Sequence, residues 1–263
     1  MKSILDFARA KREERPLVII AAYDALMARL LATTDVDAIL VGDSAAMVVH
    51  GFPSTIHATP EMMCTHTAAV RRGAPAALVI ADMPFLSVRQ GRDAAVQAAG
   101  ALMQAGANAV KIEGVTGHAD FIAHLVGSGI PVMGHLGLTP QSVHQLGGHR
   151  LQGRTPEAAA RLQAESRELE KLGAFSVVLE CVPAALAAEI SGELTIPTIG
   201  IGAGPSTDGQ VLVLADLLGL DPEFRPRFVR RYLEGHEAVK VAVDAFVADV
   251  RAVRFPARAE VLA

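Results

Sequence analysis

Residues 38–46 read AILVGDSAA, so that four apolar residues lead directly into Gly42, Asp43 and Ser44. In three further stretches an apolar run also ends on an acid: ALVIADMP (77–84), NAVKIEG (108–114) and FSVVLECVP (175–183). A run that is apolar almost throughout is typical of a strand buried on both faces, as in a parallel sheet. Each of these runs therefore predicts a buried strand that carries a carboxylate at its end.

Similar runs recur along the whole chain and predict eight strands, at 17–22, 38–43, 77–82, 108–113, 130–135, 175–180, 196–201 and 210–215. Helical patterns lie between most of them, and several begin with Thr-Pro or Asp and end at Gly. This alternation favours an α/β fold of the (β/α)₈ TIM-barrel type over an open doubly wound sheet. Residues 1–263 are expected to form a single barrel domain with extra N- and C-terminal helices, the latter a pair interrupted near Gly235.

Composition argues against several classes of partner. The 24 basic and 28 acidic residues give a net charge of −4, and the chain has two Tyr and no Trp, so it lacks both a basic stripe and a stacking platform for nucleic acid. No apolar run approaches the roughly 18 residues of a membrane span. Cys64 and Cys181 lie far apart without CxxC spacing, which fits a reducing compartment. We therefore expect a soluble, cytoplasmic protein that acts on small molecules.

The carboxyl ends of barrel strands are where active sites lie, and all four strand-end acids fall there. Side chains two positions apart on a strand share a face, so Lys111 and Glu113 must point the same way. If that face is the barrel interior, Lys111 meets the acids.

Each of these residues also has an ordinary structural explanation. Asp43 or Asp82 can cap the following turn or helix, Ser44 can be an N-cap, and Lys111 with Glu113 can form a structural ion pair. The combination favours function, because several carboxylates at one dry barrel mouth repel one another unless a cation or protons compensate.

Hard oxygen ligands without a Cys/His cluster suit Mg²⁺ or Mn²⁺, and Mg²⁺ needs only one or two protein carboxylates. A fourth acid is then free to act as a base. A divalent ion chelated by a 2-keto acid would stabilise an enolate while a nearby carboxylate removes the adjacent proton. The sequence thus predicts metal-assisted chemistry on a small keto acid.

The region after the fifth run contains two further candidates. His135 either contacts the substrate or is a structural histidine, and spacing alone does not decide between them. Residues 134–154 are glycine-rich and long for a βα loop, which makes them a candidate lid. The stretch GIGAGPSTDGQ (200–210) lacks GxGxxG spacing, so dinucleotide binding is not implied.

Several longer strings, in order across most of the chain, resemble the ketopantoate hydroxymethyltransferase family: VGDS, HTAAVRRGAP, ADMPF, GANAVKIEG, GHLGLTPQS, VLECVP, IPTIGIGAG and DGQVLVLADLLGL. The resemblance implies a (β/α)₈ barrel of the phosphoenolpyruvate mutase and isocitrate lyase superfamily. It also implies Mg²⁺ dependence, a homodecameric assembly, and transfer of a hydroxymethyl group from 5,10-methylenetetrahydrofolate to 3-methyl-2-oxobutanoate. The product would be 2-dehydropantoate, a precursor of pantothenate and coenzyme A.

The resemblance also implies roles for particular residues. Asp43 and Asp82 would bind Mg²⁺ directly, and Glu113 would complete the metal site, either directly or through water. Glu180 matches the family's proton acceptor and would be the catalytic residue. The substrate-binding set would be Asp43, Ser44, Asp82, Lys111 and His135.

Two alternatives remain open at this point. One is another Mg²⁺-dependent lyase or mutase of the superfamily that acts on a different small 2-keto acid. The other is a catalytically silent barrel kept as a binding or assembly module, although Glu180 and Lys111 are both present.

Overall fold

The computed structural model describes residues 2–261. They form two compact units, of which the first ends at Val213 and the second begins at Leu214. The expectation of one domain over residues 1–263 stays a prediction.

The first unit is a closed barrel of eight parallel strands in sequence order, with β1 paired to β8. The strands are β1 Leu17–Ala21, β2 Ala38–Val41, β3 Val79–Asp82, β4 Ala109–Glu113, β5 Val132–Gly137, β6 Ser176–Glu180, β7 Thr198–Ile201 and β8 Gly209–Val213. Each lies where the apolar runs predict it, with ends shifted by at most two residues. The predicted (β/α)₈ barrel is therefore confirmed.

Helices surround this barrel, and three of them begin with the expected side-chain caps. They are α1 Ile4–Arg12, α2 Ala25–Leu31, α3 Ala45–Val48, α4 Pro60–Gly73, α5 Arg92–Gln104, α6 Ala119–Gly127, α7 Val143–Leu146, α8 Pro156–Lys171 and α9 Ala184–Glu193, with 3₁₀ turns at Thr55–His57 and Pro140–Ser142. The side chains of Asp24, Thr59 and Thr155 each accept a hydrogen bond from a backbone N–H in the first turn of the following helix. The cap signals in the sequence thus mark real helix starts.

The connection between β7 and β8, residues 202–208, contains no helix. The carboxylate of Asp208 instead holds the ends of these strands together. It accepts hydrogen bonds from the backbone N–H of Thr198 at 2.7 Å and from Lys11 Nζ at 2.9 Å. One acid therefore links α1 to the amino ends of the last two strands.

The amino end of the barrel is closed by apolar packing. Phe7 of α1 is 1% exposed and makes an edge-to-face contact with Phe175, with ring centroids 5.4 Å apart. The same core includes inward-facing residues of the strands, among them Ile19, Ile80, Met133, Val178, Ile199 and Val211. Polar side chains inside the barrel are consequently gathered at the opposite, carboxyl end.

The second unit contains α10 Leu214–Leu217, α11 Gly235–Arg251 and a 3₁₀ turn at Arg258–Glu260. The expectation of a helix on each side of Gly235 is wrong for the first of the two, since residues 221–234 form no helix. Pro222 and Pro226 lack the backbone N–H that a helix needs. The Asp221 side chain also accepts hydrogen bonds from the backbone N–H groups of Glu223 and Phe224, which favours a turn.

Helix α11 presents apolar side chains to solvent. Val239, Val243, Phe246 and Val250 are all exposed, and their spacing of four, three and four residues places them on one side of the helix. Within residues 2–261, no helix is both long enough and apolar enough to cross a membrane.

Candidate active site

The four strand-end acids lie at the same end of the barrel. Asp82, Glu113 and Glu180 are the last residues of β3, β4 and β6, and Asp43 follows β2 by two residues. Asp43 is 4% exposed and Asp82 is 3% exposed. Their metal-binding and catalytic roles remain predictions, but their convergence at this end is an observed feature of the fold.

Asp43, Asp82 and Lys111 form the inner part of the cluster. The backbone N–H of Asp43 donates to Asp82 Oδ2 at 3.1 Å. Lys111 Nζ lies 2.8 Å from Asp82 Oδ1, a close ion pair whose atoms are not aligned for a hydrogen bond. Lys111 therefore meets the acids inside the barrel, which is the outcome expected if the face shared by Lys111 and Glu113 is the interior.

His135 connects Glu113 to Glu180. Its Nδ1 lies 3.5 Å from Glu113 Oε1 and 3.3 Å from Lys111 Nζ, and its Nε2 lies 3.2 Å from Glu180 Oε2. The imidazole is 2% exposed. The sequence left His135 undecided between a structural and a functional role, and the structure places it between two of the candidate acids.

The burial of like charges perturbs Asp43. Burial and the carboxylates of Asp82 and Glu113 raise the pKa of Asp43 well above its usual value. Lys111 and the side-chain amide of Gln141 act in the opposite direction and lower this pKa. Ionisation of Asp43 is therefore costly unless a further cation is bound nearby. A carboxylate in this state suits a position that binds either a metal ion or a proton.

The two cationic groups are held charged by the acids. Burial lowers the pKa of Lys111, but Asp82, Glu113 and Asp43 outweigh it and raise the pKa above its usual value. Burial and Lys111 lower the pKa of His135, whereas the carboxylates of Glu113 and Glu180 raise it, with a net rise to about 9. The acids therefore favour the protonated form of both Lys111 and His135.

Two further polar residues reach this site and were not singled out from the sequence. The hydroxyl of Tyr23 lies 2.8 Å from Ser44 Oγ, within hydrogen-bond distance. The side-chain amide of Gln141 donates to Asp43 Oδ2 at 2.8 Å. Tyr23 follows β1 by two residues, so the strand-end signal that identified the acids could have identified it too.

Backbone geometry fixes the end of β6, where Glu180 lies. Gly137 has φ +93°, and a Cβ on it would come within 2.2 Å of the Glu180 carbonyl oxygen. This close approach lets the backbone N–H of Leu138 donate to that oxygen at 2.8 Å. The next residue, Cys181, has φ +47°, a conformation that non-glycine residues rarely adopt and that clusters at functional sites. Glu180 is therefore the last strand residue before a strained, tightly held turn.

A small cavity opens beside Glu113 and Gln141. Apolar side chains of Met83, Phe85 and Ile112 line part of it. Polar side chains, among them Arg89 and Ser142, line the rest of it.

The donor set fits a hard divalent cation. Asp82 Oδ1 and Glu113 Oε1 are buried and accept no well-aligned hydrogen bond. They lie 2.8 Å from Lys111 Nζ and 3.5 Å from His135 Nδ1, so a metal ion would share these oxygens with the two side chains. Among residues 2–261, no three His, Cys, Asp or Glu side chains converge closely enough to hold a metal ion by themselves. Mg²⁺ commonly takes one or two protein carboxylates and completes its shell with waters and substrate oxygens. Asp43 and Asp82 fit that mode, with Glu113 at the edge of the site.

A closed (β/α)₈ barrel with buried acids, a lysine and a histidine at the carboxyl ends of its strands is the architecture of a barrel enzyme that handles a small anionic substrate. Sequence comparison identifies the family. The family model described as ketopantoate hydroxymethyltransferase matches residues 1–258. The chain belongs to the ketopantoate hydroxymethyltransferase family.

Curated relatives agree with this assignment. The chain is 50% identical over 260 residues to the 3-methyl-2-oxobutanoate hydroxymethyltransferase of Bdellovibrio bacteriovorus, covering 99% of both chains. It is 49% identical to the enzyme of the same name from Coxiella burnetii, covering 95% of both. Among solved structures, a phosphonopyruvate hydrolase in complex with oxalate and Mg²⁺ aligns with a TM-score of 0.65 at 12% identity, covering 100% of this chain and 92% of that one. The last similarity concerns the fold alone.

Proposed function

We propose that the protein transfers a hydroxymethyl group from 5,10-methylenetetrahydrofolate to 3-methyl-2-oxobutanoate and so forms 2-dehydropantoate for pantothenate synthesis. One observation carries the proposal: in a chain that matches this family over nearly its full length, the buried cluster of Asp43, Asp82, Glu113 and Lys111 lies at the end of the barrel where such enzymes have their active sites. The similarity at 49–50% identity favours this reaction over that of another lyase or mutase, and over a catalytically silent barrel.

Asp43 and Asp82 would hold Mg²⁺, with Glu113 contributing at the edge of the site or through water. Hard carboxylate oxygens and the absence of Cys or His among the inner donors support Mg²⁺ over a softer metal. When bound, Mg²⁺ would draw electrons from the keto group of the substrate and so acidify the proton on C3.

Lys111 and Ser44 would hold the substrate. Lys111 is 5% exposed and is kept charged by its neighbours, so its ammonium offers a fixed positive charge for the carboxylate or keto oxygen of a 2-keto acid. Tyr23 lies within hydrogen-bond distance of the Ser44 hydroxyl and so restricts its orientation. His135 would line the substrate pocket between Glu113 and Glu180.

Glu180 would remove the C3 proton. His135 Nε2 lies 3.2 Å from Glu180 Oε2 and so holds the Glu180 side chain within the site. The tightly held backbone at Gly137 and Cys181 fixes its position. C3, once it has lost its proton, would form a bond to the methylene carbon. Both C–N bonds of that carbon would break to release tetrahydrofolate, and water would supply the hydroxyl oxygen of the product.

Assembly and location are part of the same proposal. A homodecamer, as in the family, would cover the exposed apolar stripe Val239, Val243, Phe246 and Val250 of α11. A cytoplasmic location is supported by Cys64 and Cys181, both of which are free thiols.

The test is an assay with 5,10-methylenetetrahydrofolate labelled with ¹³C at the methylene carbon, 3-methyl-2-oxobutanoate and Mg²⁺, followed by mass spectrometry. We expect 2-dehydropantoate that carries one labelled carbon. Cleavage of a 2-keto or hydroxy acid without any labelled product would instead support a lyase.

A further inference from the structure

The loop after β5 reaches over the acid cluster through one residue, Gln141. Its side-chain Nε2 donates to Asp43 Oδ2 at 2.8 Å and to the carbonyl oxygen of Met83 at 2.9 Å. Its backbone N–H donates to Glu113 Oε2 at 3.0 Å. Gln141 therefore touches two of the three acids proposed for the metal site, one through each part of the residue.

These contacts leave the two carboxylates with little freedom. Asp43 follows β2 and Glu113 ends β4, so Gln141 links acids from two parts of the barrel in a site crowded with like charges. A neutral amide donor bonds a carboxylate without adding a further charge, which leaves the other oxygen lone pairs free for a cation. The Met83 carbonyl accepts the second amide proton, so the orientation of the Gln141 side chain is itself fixed.

The loop that carries Gln141 is supported from a second direction. The 3₁₀ turn Pro140–Ser142 packs against the 3₁₀ turn Thr55–His57, which belongs to the segment after β2. The segment that follows Asp43 and the loop that carries Gln141 are thus in contact through these two turns as well as through the Gln141–Asp43 hydrogen bond.

We infer that Gln141 is a positioning residue for the divalent-cation site: it orients Asp43 through its side chain and Glu113 through its backbone, and it ties the loop of residues 138–146 to those acids. The inference rests on the metal site in the proposed function. It assigns Gln141 no contact with the reacting atoms, so its removal should weaken cation binding more than it changes the chemical step.

The experiment measures binding of Mn²⁺, a paramagnetic probe for the Mg²⁺ site, to the full-length protein by electron paramagnetic resonance. Gln141→Met keeps the length of the side chain and removes both side-chain N–H donors, while the backbone N–H that bonds Glu113 is retained. Gln145→Met makes the same change at an exposed position of the same loop and is the matched control. We expect the Kd for Mn²⁺ to rise roughly 10–100-fold in Gln141→Met, the usual effect of losing a group that orients a metal ligand, and to be unchanged in Gln145→Met.

Further readouts separate positioning from a general structural role. Saturating Mg²⁺ should restore most of the transfer rate of Gln141→Met, and hydrogen exchange of the backbone amides of residues 138–146 should be faster than in wild type. Gln141→Asn keeps the amide on a shorter side chain and should also weaken Mn²⁺ binding, which provides a second variant if Gln141→Met does not fold.

Two outcomes would overturn the inference. Folded Gln141→Met that binds Mn²⁺ as tightly as wild type would exclude the positioning role and leave the metal site standing. Wild-type protein that binds no Mn²⁺ would overturn the metal site in the proposed function, and this inference with it.

Discussion

Replacement of Lys111 by Met tests how strongly the buried ion pair between Lys111 and Asp82 stabilises the folded protein. The ammonium and Asp82 Oδ1 are 2.8 Å apart, and both side chains are at most 5% exposed. At an effective dielectric constant of about 20, Coulomb's law gives an attraction of about 6 kcal/mol for this separation. Part of it is offset by the cost of burying the ammonium, so we expect Lys111→Met to lower the free energy of unfolding by about 3–5 kcal/mol at neutral pH without metal.

Urea unfolding at a fixed protein concentration measures this change. Lys240→Met is the matched control, because Lys240 pairs with Asp244 on an exposed helix face and such pairs contribute about 0–1 kcal/mol. Lys111→Met combined with Asp82→Asn should be more stable than Lys111→Met alone, because the second change removes the carboxylate left unpaired. The reasoning is refuted if Lys111→Met costs no more than Lys240→Met.

Three further predictions concern the metal, Asp43 and the second unit. Chelation of divalent cations should abolish hydroxymethyl transfer and added Mg²⁺ should restore it; full turnover in metal-free buffer would contradict the metal site. Asp43→Asn should raise the unfolding free energy of the metal-free protein by on the order of 1 kcal/mol, since it removes a buried like charge. It should also weaken Mn²⁺ binding at least roughly 10-fold. Urea denaturation measures the first effect and electron paramagnetic resonance the second, and unchanged Mn²⁺ affinity would exclude Asp43 as a ligand. Burial and Asp221 raise the pKa of Asp216 to about 6, so the folded state keeps a proton that the unfolded state releases near 3.8, and stability is lost as pH rises between these values. Asp216→Asn should therefore stabilise the protein by about 1 kcal/mol above pH 6, after allowance for solvent screening, and by almost nothing below pH 4; equal gains in urea unfolding at both pH values would contradict this sign.

The strands and the strand-end acids could be predicted because local sequence determines them. An apolar run with a carboxylate at its end is recognisable within one segment. The period of two along a strand is enough to predict that Lys111 and Glu113 point to the same face. Parallel strands in a barrel then bring their ends together whatever the loops do.

The remainder depends on the paths of loops, which local pattern does not encode. Gln141 lies within GHLGLTPQS (134–142), but its contact with Asp43 forms only when the loop folds back over the barrel. The segment 221–234 was expected to be helical from its apolar spacing, and Pro222 and Pro226 prevented this. The contact between Lys11 of α1 and Asp208 likewise joins residues that are far apart in sequence.

The central claim is that Glu180 is the base at a site built from the strand-end acids, and proton exchange tests it without the folate. Wild-type protein with Mg²⁺ and 3-methyl-2-oxobutanoate in heavy water should replace the C3 hydrogen by deuterium, observed by proton NMR. Glu180→Gln keeps the shape of the side chain but not its basicity, so exchange should fall by about 10²–10⁴-fold while keto-acid binding is largely kept. Glu168→Gln, at an exposed position, should exchange like wild type. Exchange at the wild-type rate in Glu180→Gln would mean that another residue removes the proton, and the account of the site would be wrong.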